Sequence, residues 1–230
     1  MIPKLLSEAL ISIGGRPFDG REARRRILSS ASGVLHLGAY TGEEASSYFE
    51  QGLSVFWVEG DPRLFKRLQD QIAPYAGQVA VNALLGRENI DQVDFHIASN
   101  DGGSSSIYPL ADHHGFENIG LQMVETIQLP LARLDSIISL DQVAKYSHWV
   151  VDLQGAELDA LIGAGSLLDS CHTMEVEVST REVYSGGVQY GELADFLLEN
   201  GFCSLWDPRP GRHLDHLFFR ARNAPTEGEN

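Results

Sequence analysis

The sequence predicts an α/β fold, a mostly parallel sheet with helices on both faces. Three observations carry this expectation. Short apolar runs alternate along the chain with stretches of helical periodicity. Several of those runs end in glycine or an acid just before a helix begins, as in "VLHLGAYTGEE" and "VFWVEGDP". The chain has 230 residues with 43% hydrophobic content, which suits one domain with a sizeable core.

Taken in order, "GVLHLGA" reads as the first strand and Glu43 to Gln51 as a helix. "VFWVEG" is the second strand. Asp61 then supplies an N-cap and Pro62 a first-turn proline. Leu64, Phe65, Leu68 and Ile72 mark the apolar face of the helix that follows. "VAVNALLG" and "VDFHIAS" read as further strands, and "VETIQLPLARLDSII" as an extended segment leading into a short helix. "HWVVDLQG" is a buried strand, followed by a helix opening with Glu157, Leu158, Leu161 and Ile162. "TMEVEVS" is another strand. Leu193, Phe196 and Leu197 form a helix face closed by Gly201. "FCSLWD" and "HLFFRA" pair around the turn "PRPG", and the last strand is expected to run antiparallel.

Before the first strand, Leu5, Leu6, Ala9, Leu10 and Ile13 fall on one helical face, the mark of a docked amphipathic helix rather than a signal peptide. The expected organisation is a helical extension over residues 1–32, a catalytic domain over 33–222 and a disordered tail over 223–230. No run approaches the roughly 18 apolar residues of a membrane span. Cys171 and Cys203 read as buried free thiols, which points to the cytoplasm. A formal net charge of -15 repels phosphate backbones and disfavours nucleic acid as a substrate. The local exception is "REARRR", with Arg21, Arg24, Arg25 and Arg26, read as a solvated helix face.

The glycine turn after the first strand raises the functional question. In parallel sheets of this kind, ligands sit beyond the carboxyl ends of the strands, where strand order reverses. Gly38 presents no side chain to block a ligand, and Gly42 lets the next helix begin close by. Glu43 and Glu44 follow at once, so a pyrophosphate is disfavoured and a cationic or zwitterionic ligand fits better. Glu59 ends the second strand 21 residues after Gly38, placed to accept both hydroxyl protons of a ribose. S-adenosylmethionine has those properties: a sulfonium, an ammonium and a carboxylate on an adenosine. A dehydrogenase is a weaker reading, because the turn lacks the third glycine of the dinucleotide fingerprint.

Seven blocks in order then give a specific match. They are "LHLGAYTGEEASSYF", "VFWVEGDPRLFKRL", "ASNDGGSSSIYPLADHH", "LPLARLDSI", "VVDLQGAELDALIGAG", "MEVEVSTREVYSGG" and "ELADFLLENGF". Over about residues 33 to 220 the sequence resembles the FkbM family of S-adenosylmethionine-dependent methyltransferases. The resemblance implies a class I methyltransferase fold: a Rossmann-like, seven-stranded, mostly parallel sheet with one antiparallel strand near the end. It implies O-methylation of sugars, polyketides and related natural products, although some members act on peptides or cell-surface glycans. Carried across, Gly38, Ala39 and Gly42 would line the cofactor turn, Glu59 would hold the ribose, and Ser99, Asn100 and Asp101 would border the adenine. The family's first block usually has an aspartate where this chain has His36. That leaves the cofactor's amino acid end to a hydrogen bond from His36 or to the charge of Glu43.

Methyl transfer to an alcohol needs an aligned nucleophile and a proton acceptor. Asp152, at the carboxyl end of "HWVV", is the leading base, with His113 or His114 the rival. Glu157 is divided evenly between function and helix-end stabilisation. Ser105, Ser106, Gln154, Glu177 and Tyr184 are the expected acceptor contacts, and Gly186 and Gly187 would let their loop move. Glu175 and Glu177 share one side of a strand and need partners there. Asp152 with Glu177 could hold Mg²⁺, a hard cation satisfied by few protein ligands; hydrogen bonding to hydroxyls or amides is the commoner use. An N-methyltransferase of a small molecule or peptide is the alternative. From another class, His36 in place of an acid favours a non-catalytic cofactor-binding module. The partner expected is a small-molecule or glycan acceptor, with no membrane and with homo-oligomerisation left open.

Overall fold

The computed structural model describes residues 20–111, 120–204 and 213–221. The predicted N-terminal helix face, His113, His114, the "PRPG" turn and the tail lie outside the described residues. Helix α1 (Gly20–Ser30) leads into β1 (Val34–Leu37), α2 (Ala45–Glu50), β2 (Val55–Glu59), α3 (Pro62–Ile72) and β3 (Gln78–Asn82). An insert follows, with β4 (Leu84–Leu85), β5 (Ile90–Ala98) and β6 (Met123–Ala132). A 3₁₀ turn (Leu134–Ser136) and α4 (Leu140–Val143) then lead to β7 (His148–Val151) and α5 (Glu157–Ala164). After a second 3₁₀ turn (Gly165–Ser170) come β8 (Thr173–Ser179), α6 (Tyr190–Glu199), β9 (Phe202–Ser204) and β10 (His213–Arg220).

Seven strands form the main sheet in the order β3-β2-β1-β7-β8-β10-β9. The first five run parallel, and β10 is antiparallel to both of its neighbours. The expected fold class and its antiparallel closing strand are therefore present. Strand order reverses between β1 and β7, which is where a sheet of this kind opens a crevice for a ligand.

Central strands bury both faces because they are apolar at nearly every position. Leu35 and Leu37 join the core under α4, α5 and α6, which also holds Trp149, Val151, Leu161 and Leu197. Val34 and His36 point the other way, where Tyr48, Trp57, Leu68 and Ile72 form a second core with α1, α2 and α3. Asp61 caps α3 by accepting the Arg63 N–H, with Pro62 in the first turn, as its sequence requires. On α1, Arg24 lies 3.0 Å from Glu175 of β8. That ion pair answers the question of how β8 carries a buried glutamate, and it takes Arg24 out of any purely solvated face.

One expectation needs correction. "VAVNALLG" and "VDFHIAS" do not extend the main sheet as two more strands. The first splits into β3 and the short β4, and the second belongs to a separate three-stranded sheet, β4-β6-β5. In it β5 and β6 run antiparallel. The physical reason is visible in β5, which alternates Phe95 and Ile97 with polar neighbours. A strand of that pattern buries one face and cannot sit in the middle of a two-faced sheet. Gly163 of α5 packs directly on this insert: a Cβ there would lie 2.1 Å from the Gly86 carbonyl oxygen.

Two expected outcomes follow from this packing. A glycine inside a helix usually gains up to about 1 kcal/mol on becoming alanine. At Gly163 the methyl meets backbone that cannot rotate away, so Gly163→Ala is expected to cost about 1–3 kcal/mol, read as a lower urea midpoint at unchanged slope. Equal or greater stability would contradict the close approach. The second concerns His36. Burial, with Arg24 nearby, lowers its pKa from 6.5 to about 3 and keeps the ring neutral. The unfolded chain takes up a proton near 6.5 and the folded chain does not, so stability falls as pH drops from about 6.5 toward 3. His36→Phe should flatten that part of the stability–pH curve in urea unfolding between pH 4 and 7. An unchanged slope would show that His36 is not held neutral.

Candidate cofactor cavity and carboxylate junction

The ends of β1 and β7 meet at the switch point. Asp152 N–H donates to Leu37 O at 2.9 Å, and a Cβ on Gly38 would sit 1.7 Å from the Asp152 carbonyl oxygen. Gly38 also has φ +85°, a region side chains avoid. Its glycine is thus demanded twice, by conformation and by the neighbouring strand.

Beside this contact lies a crevice open to solvent. Glu59 and Tyr40 edge it; Leu64, Leu84, Phe95 and Ile107 give it apolar walls. Glu59 is buried and receives two backbone N–H groups, Tyr40 N at 2.8 Å and Asp61 N at 2.7 Å. Burial raises its pKa to about 7, partly offset by those N–H donors. Each carboxylate oxygen retains acceptor capacity for a ribose hydroxyl. Apolar walls for a base, a carboxylate for a ribose and bare main chain at Gly38 fit the adenosine part of S-adenosylmethionine.

Asp152 and Gln154 line this cavity, while Glu177 and Tyr184 line a second, smaller one. Between the two cavities lies a tight polar junction. Gln154 Nε2 donates to Asp152 Oδ1 at 2.5 Å and to Glu177 Oε2 at 2.8 Å. Gln154 Oε1 accepts the Tyr184 hydroxyl at 2.5 Å. Burial, followed by the nearby Glu177 carboxyl, pushes the Asp152 pKa well above its usual range. Glu157 is buried and accepts N–H groups from Leu153 at 2.9 Å and Gly155 at 3.0 Å. Burial and then Glu177 raise its pKa to about 7. Its role is to hold the turn after β7. Carboxylate oxygens of Asp152, Glu157 and Glu177 lie within 4.8 Å of one another, the grouping that suggested Mg²⁺. The donors already aimed at them are amide N–H groups, which compete with a cation for the same lone pairs. The residues present therefore fit a hydrogen-bonded network, not a metal centre.

Several expected site residues sit elsewhere. His36 is buried against the Trp57 ring, 4.7 Å between centroids, and its side chain faces the second core. It does not reach the cavity, so the feature that favoured a non-catalytic module is a packing substitution. Ala39 is buried in the same core. A Cβ on Gly42 would meet Leu68 at 2.6 Å, so its glycine serves the packing of α3 and not a ligand. Glu43 is exposed and absent from the cavity lining. Ser99 and Asn100 are exposed and brace their own loop, Ser99 Oγ to Gly120 O and Asn100 to Ser104. Asp101 pairs with Arg67 at 2.5 Å, which lowers its pKa. The wall expected from these three is built instead by Gly102, Gly103 and Ser105.

Among the expected acceptor contacts, Ser105 therefore belongs to the cofactor cavity. Ser106 is buried and donates to Gln154 O at 2.7 Å, a brace within the protein. Tyr184 is buried with its hydroxyl committed to Gln154 and near Ser104 O at 3.2 Å. Glu177 lines the second cavity together with Tyr184. Gly187 packs tightly on Tyr184 and Gly155, so it serves close contact and not loop motion. Sequence reasoning missed Tyr40, a non-glycine residue at φ 49° whose N–H holds Glu59. It also missed the apolar wall residues Leu84 and Phe95, which no local signal links to Glu59.

Comparison with known proteins agrees with this geometry. The family model described as the methyltransferase FkbM domain matches residues 36–203. The chain is 23% identical over 193 residues to the 2-O-methyltransferase NoeI of Sinorhizobium fredii, covering 79% of each. Its fold is similar to that of a SAM-dependent methyltransferase from Aquifex aeolicus, with a TM-score of 0.50 at 7% identity, over 88% of this chain and 89% of that one. No helix among the described residues is long and apolar enough to cross a membrane. With a matched segment that runs from β1 through β9 and takes in Glu59, Asp152 and Glu177, the chain belongs to the FkbM family of S-adenosylmethionine-dependent methyltransferases.

Proposed function

We propose that the protein methylates a hydroxyl oxygen of a sugar or natural-product acceptor. The observation that carries this reading is Asp152: a carboxyl at the edge of the cofactor cavity whose proton affinity is raised by burial and by Glu177. An alcohol must lose its proton as its oxygen is alkylated, so it needs such a base; a neutral amine needs it less. Similarity to a protein named as a 2-O-methyltransferase supports oxygen as the acceptor atom. The net charge of -15 disfavours a nucleic-acid acceptor.

In this reading Glu59 accepts the ribose hydroxyls, and Leu64, Leu84, Phe95 and Ile107 enclose the base. When bound, S-adenosylmethionine supplies a methyl group made electrophilic by its sulfonium. Asp152 receives the acceptor's hydroxyl proton. Glu177, in contact with Asp152, spreads the resulting charge change over two carboxyls. Apolar walls keep water from competing for the methyl group.

Three measurements bear on this reading. A screen of neutral glycosides, amino sugars, polyketide alcohols and short peptides with labelled methyl donor should give product mass on a hydroxyl compound; transfer to amines alone would overturn the reading. Glu59 must be ionised to accept two hydroxyls, so affinity for S-adenosylhomocysteine should rise from pH 6 to 8. Glu59→Gln should weaken it about 10–100-fold, the worth of hydrogen bonds to a charged group, and remove the pH dependence, as read by calorimetry. Asp152→Asn should lower kcat by about 100-fold or more while leaving S-adenosylhomocysteine affinity within about threefold. Full turnover in that variant would remove Asp152 as the base.

A further inference from the structure

We infer that Gln154 is the positioning residue of this active site: its amide sets Asp152 and Glu177 side by side and fastens the Tyr184 segment against them. Gln154 spends both of its side-chain donors within the protein. Both Nε2 hydrogens go to carboxylates, one on Asp152 and one on Glu177. Its Oε1 takes the Tyr184 hydroxyl, and its main-chain oxygen takes the Ser106 hydroxyl. Reversing the amide would set an oxygen against two carboxylates, so its orientation follows from its neighbours. Both of its N–H donors are therefore spent within the protein, and Oε1 already takes one hydroxyl.

Four segments meet at this one residue, three at its side chain and one at its main-chain oxygen. Asp152 ends β7, Glu177 lies on β8, Ser106 belongs to the loop after β5, and Tyr184 to the loop after β8. The two loops are further joined by Ala111 N–H to Val183 O at 2.9 Å and Ser185 N–H to Pro109 O at 2.8 Å. Gln154 holds φ at 55°, a left-handed arrangement that a non-glycine residue keeps only where its surroundings fix it. Gly155 follows at φ 99°, and a Cβ there would press on the Tyr184 ring at 3.1 Å. The strained turn, the missing Cβ and the shared amide all serve to bring Tyr184 onto the junction.

The tethering of the Tyr184 segment stands on these contacts alone; the effect on turnover rests on Asp152 as the base. Gln154→Met keeps the length and removes every side-chain polar contact, and Gln154→Glu puts a fourth carboxyl where the amide donors were. In ligand-free protein, Gln154→Met should speed hydrogen exchange at residues 183–187 by about tenfold, the equivalent of one lost hydrogen bond, whereas Gln154→Glu keeps an acceptor for the Tyr184 hydroxyl and should change it less. Tyr184→Phe should speed the same amides without touching the carboxylates. On an acceptor found by the screen above, both Gln154 variants should lose about tenfold or more in kcat. KM and S-adenosylhomocysteine affinity should stay within about threefold. Exchange at 183–187 unchanged in Gln154→Met and in Tyr184→Phe, with native circular dichroism, would overturn the tether. Unchanged kcat in both Gln154 variants, where Asp152→Asn is inactive, would overturn the positioning role. If Asp152→Asn is itself active, the base assignment fails and the exchange result still decides the tether.

Discussion

The contact on which the rest depends is the one between the ends of β1 and β7. There the main chain of Gly38 lies so close to the Asp152 carbonyl that a methyl group would stand 1.7 Å from its oxygen. This closeness is a consequence of two parallel strands that diverge into crossovers on opposite sides of the sheet. It places two acids, Glu59 one strand over and Asp152 after β7, around a single crevice. Any side chain at residue 38 would wedge the strands apart and separate the two functions.

The junction solves a problem in electrostatics. Three carboxyls sit within 4.8 Å of one another, and such a group is unstable if all are ionised and unpartnered. Each has a different remedy. Glu157 takes two backbone N–H groups and becomes part of the turn. Glu177 and Asp152 share the amide of Gln154. What remains is a raised proton affinity at Asp152, which is the property a base for an alcohol requires.

The small second sheet completes the cavity. Phe95 of β5 and Leu84 of β4 supply apolar wall that the main sheet lacks, and the loop after β5 brings Gly102, Gly103 and Ser105 over the opening. Its position is fixed by Gly163, where α5 and the insert approach backbone to backbone. Tyr108 and Arg87 reinforce the same seam through Asp159, whose carboxylate they contact at 2.5 Å. The insert is thus fastened to the helix that follows Asp152, so the cavity wall and Asp152 share one support.

The sequence by itself determined the parallel sheet, its antiparallel closing strand, the cap at Asp61 and the placing of Glu59 and Asp152 at strand ends. These follow from local rules: apolar runs make strands, capping residues start helices, and a residue that ends a buried strand emerges at its edge. Block order added the family. What tertiary structure alone decided was the purpose of residues whose local signal is ambiguous. His36, Gly42 and Ser106 look like ligand contacts beside a glycine turn or in a polar loop, yet their partners are Trp57, Leu68 and the Gln154 carbonyl. Gln154 and Tyr184, 30 residues apart, become one unit only when β7 and β8 lie side by side. A side chain's role depends on which atoms exhaust its hydrogen-bonding capacity, and those atoms come from segments that sequence order does not join.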